Sequence, residues 1–243
     1  MHQKDLEIRS ADQGTPRRRI DEPEICPLCS GTGWEQCPDQ PRTVRQCKCA
    51  KERILKARIR TILEDWKEYQ DACIETFVPR SAAQERAINT LRACPAASYF
   101  IKGIYRQGKT RLMICQYRVL AERGIPCVLR TAKDLVDELR KAETPAIEPG
   151  QTPFESPVLK LVNLAPGGHL FIDDIEKIGV RSGFRSESIW HMLDTMKRRQ
   201  IGLTFTSNLP MNLPGEKMSL RTELTDQVVS RLDVLCPNTI DLG

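Results

Sequence analysis

The chain has 243 residues, 40% hydrophobic and 28% charged, and Lys+Arg 37 against Asp+Glu 32 leaves a net charge of +5. That is room for one full domain with a small appendage, and too much apolar residue for wholesale disorder. No apolar run approaches the ~20 residues of a membrane span, and Met1–Ile20 is polar and charged with no apolar signal segment. The expectation is therefore a cytoplasmic protein without a membrane partner. The mild positive balance permits contact with nucleic acid without requiring it.

Residues 1–22 read as a flexible tail, with Arg17, Arg18 and Arg19 as a solvated basic spot. Of the 10 cysteines, Cys26, Cys29, Cys37, Cys47 and Cys49 are clustered. Clustered cysteines in a reducing compartment are metal ligands more often than disulfides. Cys26-Pro27-Leu28-Cys29 has knuckle spacing, and Gly31 and Gly33 allow the turn that brings both thiolates to one ion. Cys47-Lys48-Cys49 would close a tetrahedral structural site. Cys37 is a spare that could replace one ligand, and unrelated free thiols are the competing reading. Cys73, Cys94, Cys115, Cys127 and Cys236 are scattered and read as small buried hydrophobes.

From Ala50 to about Tyr69 apolar residues recur at helical spacing. Arg42, Arg45, Lys48, Lys51, Arg53, Lys56, Arg58 and Arg60 face a single acid, Glu52, between positions 42 and 60. This basic stretch is either a solvated helix face or a surface for a phosphate backbone or an acidic partner. The organisation expected is a 23–75 module of cysteine cluster and basic helix, followed by a 76–243 domain.

In that second part short apolar strands alternate with helices. Strands are expected at Ser98–Ile101, Cys127–Leu129, Leu170–Ile172 and Gly202–Thr206. Helices are expected over Lys109–Arg123, from Thr131, and over Ser188–Arg199. Pro145, Pro149, Pro153 and Pro157 mark 142–157 as an extended loop. Alternation of this kind implies an α/β fold, a parallel sheet with helices on both faces.

Between the first strand and its helix stands Gly103-Ile104-Tyr105-Arg106-Gln107-Gly108-Lys109-Thr110, the G-x-x-x-x-G-K-[ST] phosphate loop in its required context. Backbone N–H groups of such a loop converge on phosphate at a helix N-terminus, Lys109 neutralises β/γ oxygens, and the Thr110 hydroxyl ligates Mg²⁺. Arg111 completes the binding segment. Tyr105, Arg106 and Gln107 are bulky for a loop that wraps phosphate. The third strand ends in Asp173-Asp174, placing Asp173 for the magnesium shell and Asp174 to orient or deprotonate water. Glu176, beyond the strand end, is the poorer candidate for the base. The fourth strand ends at Thr206-Ser207-Asn208, where Asn208 either senses a γ-phosphate or belongs to a turn. Arg231 near a helix end could reach a neighbour's phosphate in a ring or spiral.

In this order, Cys-Pro-Leu-Cys-Ser-Gly-Thr-Gly-Trp, Cys-Lys-Cys, a basic helix, Thr76-Phe77, the phosphate loop, Phe-Ile-Asp-Asp, Thr-Ser-Asn and Ser-Arg-Leu, the chain resembles the DnaC/DnaI-type helicase loaders. Those are AAA+ P-loop ATPases close to the IstB transposition helpers. The resemblance implies a zinc-containing N-terminal module that contacts a hexameric replicative DNA helicase. It further implies an ATPase domain that self-assembles as a homo-oligomer and binds single-stranded DNA. It casts Lys109 and Thr110 as Walker A, Asp173-Asp174 as Walker B, Asn208 as sensor 1 and Arg231 as the arginine finger. ATP, Mg²⁺ and Zn²⁺ (on Cys26, Cys29, Cys47 and Cys49) are the implied cofactors. The loop departs from that family where Arg106 or a neighbour replaces a middle glycine. Gly243 precedes the segment in which the family carries a sensor 2 arginine, which implies slower hydrolysis. An IstB-like transposase helper and a non-hydrolysing nucleotide-binding adaptor are the alternative readings.

Overall fold

The computed structural model describes residues 25–143, 154–179, 183–212 and 218–243. The 1–22 tail with Arg17–Arg19, and Pro145, Pro149 and Pro153, lie outside the described residues. The chain forms two compact units, Met1–Arg53 and Ile54–Gly243.

The first unit holds an antiparallel hairpin, β1 (Trp34–Cys37) and β2 (Gln40–Gln46). Pro38-Asp39 makes its turn, and Arg45 Nε pairs with Glu35 Oε1 across the strands at 2.6 Å. The hairpin was not legible in the sequence, because neither strand alternates apolar with polar residues. Helix α1 (Lys48–Ile62) starts in this unit and ends in the second. The helical pattern expected through Tyr69 changes pitch after α1: Leu63–Tyr69 is a 3₁₀ segment with a non-helical Trp66 (φ −115°, ψ 46°).

The second unit is built on a five-stranded parallel sheet in the order β4-β5-β6-β3-β7. The strands are β3 (Tyr99–Lys102), β4 (Cys127–Thr131), β5 (His169–Asp173), β6 (Gly202–Ser207) and β7 (Asn238–Asp241). Helices α2 (Ala82–Ala93), α3 (Lys109–Glu122), α4 (Ala132–Glu143), α5 (Pro157–Leu164), α6 (Gly183–Arg198), α7 (Leu220–Glu223) and α8 (Asp226–Leu235) cover it. Because strand side chains alternate, Tyr99 and Ile101 face one core with Leu112, Ile114 and Ile240. Phe100 faces the other with Ile172, Phe205 and Val228, stacking on Phe205 at 4.8 Å between ring centroids. Burial on both faces is why β3 and β5 read as continuous apolar runs.

Two expectations are corrected. The 142–157 loop is shorter than read, since α4 reaches Glu143 and α5 begins at Pro157. Ser156 caps α5 by accepting from Leu159 N, and proline in the first helical turn lacks only an N–H that has no partner there anyway. Buried Glu138 ties α4 to α5, accepting from Ser156 Oγ (2.6 Å), Val158 N (2.7 Å) and Arg130 Nε (2.7 Å). Among the scattered cysteines, Cys115 and Cys236 are buried as expected, but Cys94 is exposed at the C-cap of α2 and Cys73 and Cys127 are half-buried.

Candidate nucleotide site and cysteine cluster

In open parallel sheets ligands sit beyond the carboxyl ends of the strands. Here β6 lies between β3, which feeds the phosphate loop, and β5, which carries the acids. The ladder β3–β6 runs to Lys102↔Ser207 and continues into Gly103 N→Ser207 O at 3.3 Å, so the loop starts level with the tip of β6.

At Gly103 (φ +156°) a side chain would be strained, and a Cβ would lie 3.0 Å from Leu242 Cβ and 2.3 Å from the movable end of Gln107. Gly108 is left-handed (φ +81°) and opens α3, whose first N–H groups face the loop. Arg106 also takes a left-handed angle (φ +64°), where a β-carbon costs about 1 kcal/mol. Its side chain is exposed, as are Ile104 and Tyr105. Gln84 of α2 braces the loop by donating to Gln107 O at 3.0 Å.

The chain brings Lys109, Thr110, Asp173 and Asn208 together. Lys109 is buried, and its Nζ donates to Ile104 O (3.0 Å) and Asn208 Oδ1 (2.7 Å). Burial lowers its pKa, while Asp174, Glu176 and Asp173 pull it back up. Thr110 Oγ1 donates toward Asp173, at 3.0 Å to Oδ1 and 3.2 Å to Oδ2. Thr206 Oγ1 donates to Asp173 Oδ1 at 2.6 Å and accepts from Asp174 N at 2.8 Å. Burial raises the Asp173 carboxyl above its ordinary range, partly offset by the two threonine hydroxyls. Two hydroxyls converging on one buried carboxylate are a donor set suited to a hard cation.

Three expected residues are engaged away from that cluster. Asp174, in a left-handed conformation (φ +53°), pairs with Lys177 Nζ at 2.5 Å. Arg111 pairs with Asp71 at 2.6 Å. Arg231 of α8 is held by α6, with Nη2 2.9 Å from Asp194 Oδ1 and its guanidinium 5.4 Å from the Trp190 ring centroid.

Sequence reading missed three participants. Thr206 was visible only as a strand residue, and Gln84 sits on a helix that carried no motif. Glu176 was set aside for lying past the strand end, yet the 3₁₀ turn Ile175–Ile178 folds it back so that Oε1 is 2.6 Å from Asn208 Nδ2. Only the strand order could have revealed that pairing.

In the first unit the sulfurs of Cys26, Cys29, Cys47 and Cys49 all lie within 4.8 Å of one another. Cys26 and Cys47 are 3.8 Å apart, and Cys29 and Cys49 3.4 Å. A tetrahedral ion with ~2.3 Å bonds to sulfur needs edges of about 3.8 Å, so the set fits a Cys₄ centre. Cys37, at the end of β1, is outside it. Ser30, Gly31 and Gly33 take positive φ around the knuckle, and Thr32 Oγ1 donates to Cys29 O at 2.7 Å. Burial pushes the Cys29 thiol up, but hydrogen bonds led by the Gly33 backbone outweigh it and bring the pKa to about 7.

No family model and no curated protein matches this chain. Solved structures do. A DnaC helicase loader superposes with TM-score 0.55 at 20% identity, over 73% of this chain and 99% of that one. DnaI matches with TM-score 0.53 at 18% identity, over 76% and 90%. AMPPCP-bound DnaA from Aquifex aeolicus matches with TM-score 0.54 at 14% identity, over 71% of this chain and 50% of that one. The sheet order, the phosphate loop and these superpositions together show that the chain carries the AAA+ P-loop fold found in DnaC-type helicase loaders and in DnaA.

Proposed function

We propose that the protein is an ATP-dependent replication-initiation factor that binds a hexameric replicative helicase and helps place it on single-stranded DNA. The observation that carries this reading is the meeting of Lys109, Thr110, Asp173 and Asn208 at the ends of adjacent strands. The binding segment would be Gly103–Arg111. On binding, Lys109 would turn from Asn208 and Ile104 to the β/γ oxygens, while the first N–H groups of α3 take the phosphates. Thr110 and Asp173 would hold Mg²⁺, which neutralises triphosphate charge when bound. Asn208 would sense the γ-phosphate. Asp174, released from Lys177, would orient or deprotonate the attacking water. Arg231 would serve a neighbouring subunit in a cytoplasmic ring or spiral.

Cys26, Cys29, Cys47 and Cys49 would hold a structural Zn²⁺. That centre and the basic helix form the proposed helicase-facing module over 23–75, with the ATPase domain over 76–243. A second reading, a nucleotide-binding adaptor that does not hydrolyse, is favoured by Arg106 at a glycine-type angle and by the Asp174–Lys177 pair. Turnover by the full chain, with and without single-stranded DNA, separates the two. Helicase capture by the wild type and by Lys109→Ala is measured alongside. Stimulated hydrolysis supports the loader. Capture independent of Lys109 with no turnover selects the adaptor, and no adenine-nucleotide binding at all rejects both.

A further inference from the structure

Glu176 is bound into the site through Asn208. Its Oε1 accepts both the main-chain N–H of Asn208 at 3.1 Å and the side-chain Nδ2 at 2.6 Å. Its Oε2 is shielded from solvent and has no hydrogen-bond partner among the described residues. On the far side, Asn208 Oδ1 accepts from Lys109 Nζ at 2.7 Å. The amide is therefore addressed from both ends. Its terminal torsion is broad and two-fold when free. Turned over here, it would set oxygen against a carboxylate and N–H against an ammonium.

The turn that presents Glu176 is itself fixed. Ile175 and Ile178 on either side of it are buried in the core, and Lys177 N donates to Asp174 O at 2.9 Å. The neighbouring acid, Asp174, is occupied by Lys177, so Glu176 is the carboxylate that grips the tip of β6.

We propose that Glu176 is a positioning residue for phosphate sensing. By holding Asn208 through its backbone and its amide, it aims that amide at Lys109 and at the terminal phosphate, and so sets the preference of the site for triphosphate over diphosphate. This rests on the nucleotide reading given above. When Lys109 turns to phosphate oxygens, Asn208 keeps its bond to Glu176, and the second hydrogen of Nδ2 remains to donate to the γ-phosphate. The role requires an acceptor oxygen and not a negative charge. Glutamine at 176 offers that oxygen to the same two donors, whereas alanine does not.

The test uses the full chain with Mg²⁺ and two fluorescent N-methylanthraniloyl nucleotides, ATPγS and ADP, read as the ratio of their affinities. Glu176→Ala and Asn208→Ala should each reduce the triphosphate preference roughly tenfold or more, the scale of losing a hydrogen bond to a charged group. The double variant should lose no more than either single one, because both act through the same amide. Glu176→Gln should stay within about threefold of wild type, since it keeps the acceptor. An unchanged ratio in Glu176→Ala, even with a lowered melting temperature, overturns the proposal. So do losses that multiply in the double variant, or a wild type that binds both nucleotides equally. In each of those results binding persists and the nucleotide reading stands; a wild type that binds neither nucleotide removes that reading and the proposal together.

Discussion

The Lys109 ammonium lies 2.7 Å from the Asn208 amide oxygen, across 99 positions of sequence. A buried cation is costly without partners, and here two neutral oxygens, from Asn208 and Ile104, supply them. Neither neutralises the charge. The lysine is held by neutral oxygens, and in the function proposed above an incoming triphosphate would supply its direct ionic partner.

Lys109→Ala is expected to weaken ATP binding by about a hundredfold, the loss of a charge-assisted contact in a shielded site. Titration with a fluorescent ATP analogue measures it. The α3 helix should persist, because alanine is the better helix former.

Arg106→Gly should relieve the left-handed strain in the loop and clear its mouth. The expected result is a several-fold gain in ATP affinity with stability changed by no more than about 1 kcal/mol, since glycine's unfolded-state entropy offsets the relief. Titration beside a denaturant melt tests this, and weaker binding would show that the arginine itself contacts nucleotide.

Replacing Cys26 and Cys29 together by serine should abolish metal binding, read as loss of about one zinc per chain by elemental analysis. Unchanged zinc content would reject the Cys₄ assignment. The second unit's nucleotide affinity is expected to survive the change.

Stability should depend on pH through His169. This side chain is buried on β5, donates from Nε2 to Thr204 Oγ1 at 2.9 Å, and is pushed by burial from 6.5 down to about 3. Thr204 in turn donates to Gln116 Oε1, which fixes the donor and acceptor roles. A folded pKa below the unfolded one means that the stabilisation is complete well above pH 6.5 and is lost as pH falls toward 3. Relative to pH 8, about 2 kcal/mol should be gone at pH 5. Denaturant melts of the wild type and of His169→Leu at both pH values isolate the contribution, which the variant should lack.

Gly202→Ala tests the packing around the same ring. A Cβ at that position would meet His169 Nδ1 at 2.2 Å, inside a sheet whose backbone cannot retreat. A loss of about 1–3 kcal/mol is expected, the range for overpacking a core. A neutral result would mean that the ring has room to move.

What the sequence alone determined is local. The phosphate loop, the acids at the end of β5, Asn208 at the end of β6 and the cysteine spacings are short patterns, legible because each chemistry needs adjacent residues on one turn or strand end. Helices α3 and α4 and the central strands were legible too, since their burial is written as apolar periodicity. Helix α5 was missed because Pro157 was weighed as a breaker and not as a first-turn residue after Ser156. The β1–β2 hairpin and β7 carry no periodic signal and form through pairing with a partner strand.

The strand order belonged to the tertiary structure alone. By inserting β6 between β3 and β5 it set Thr206 against Asp173, Asn208 against Lys109, and Glu176 against Asn208. Those bonds join residues on different elements, and no local spacing encodes them. They exist because the parallel sheet fixes which strand ends are neighbours, and because the turn after β5 is held down by Ile175 and Ile178 in the core.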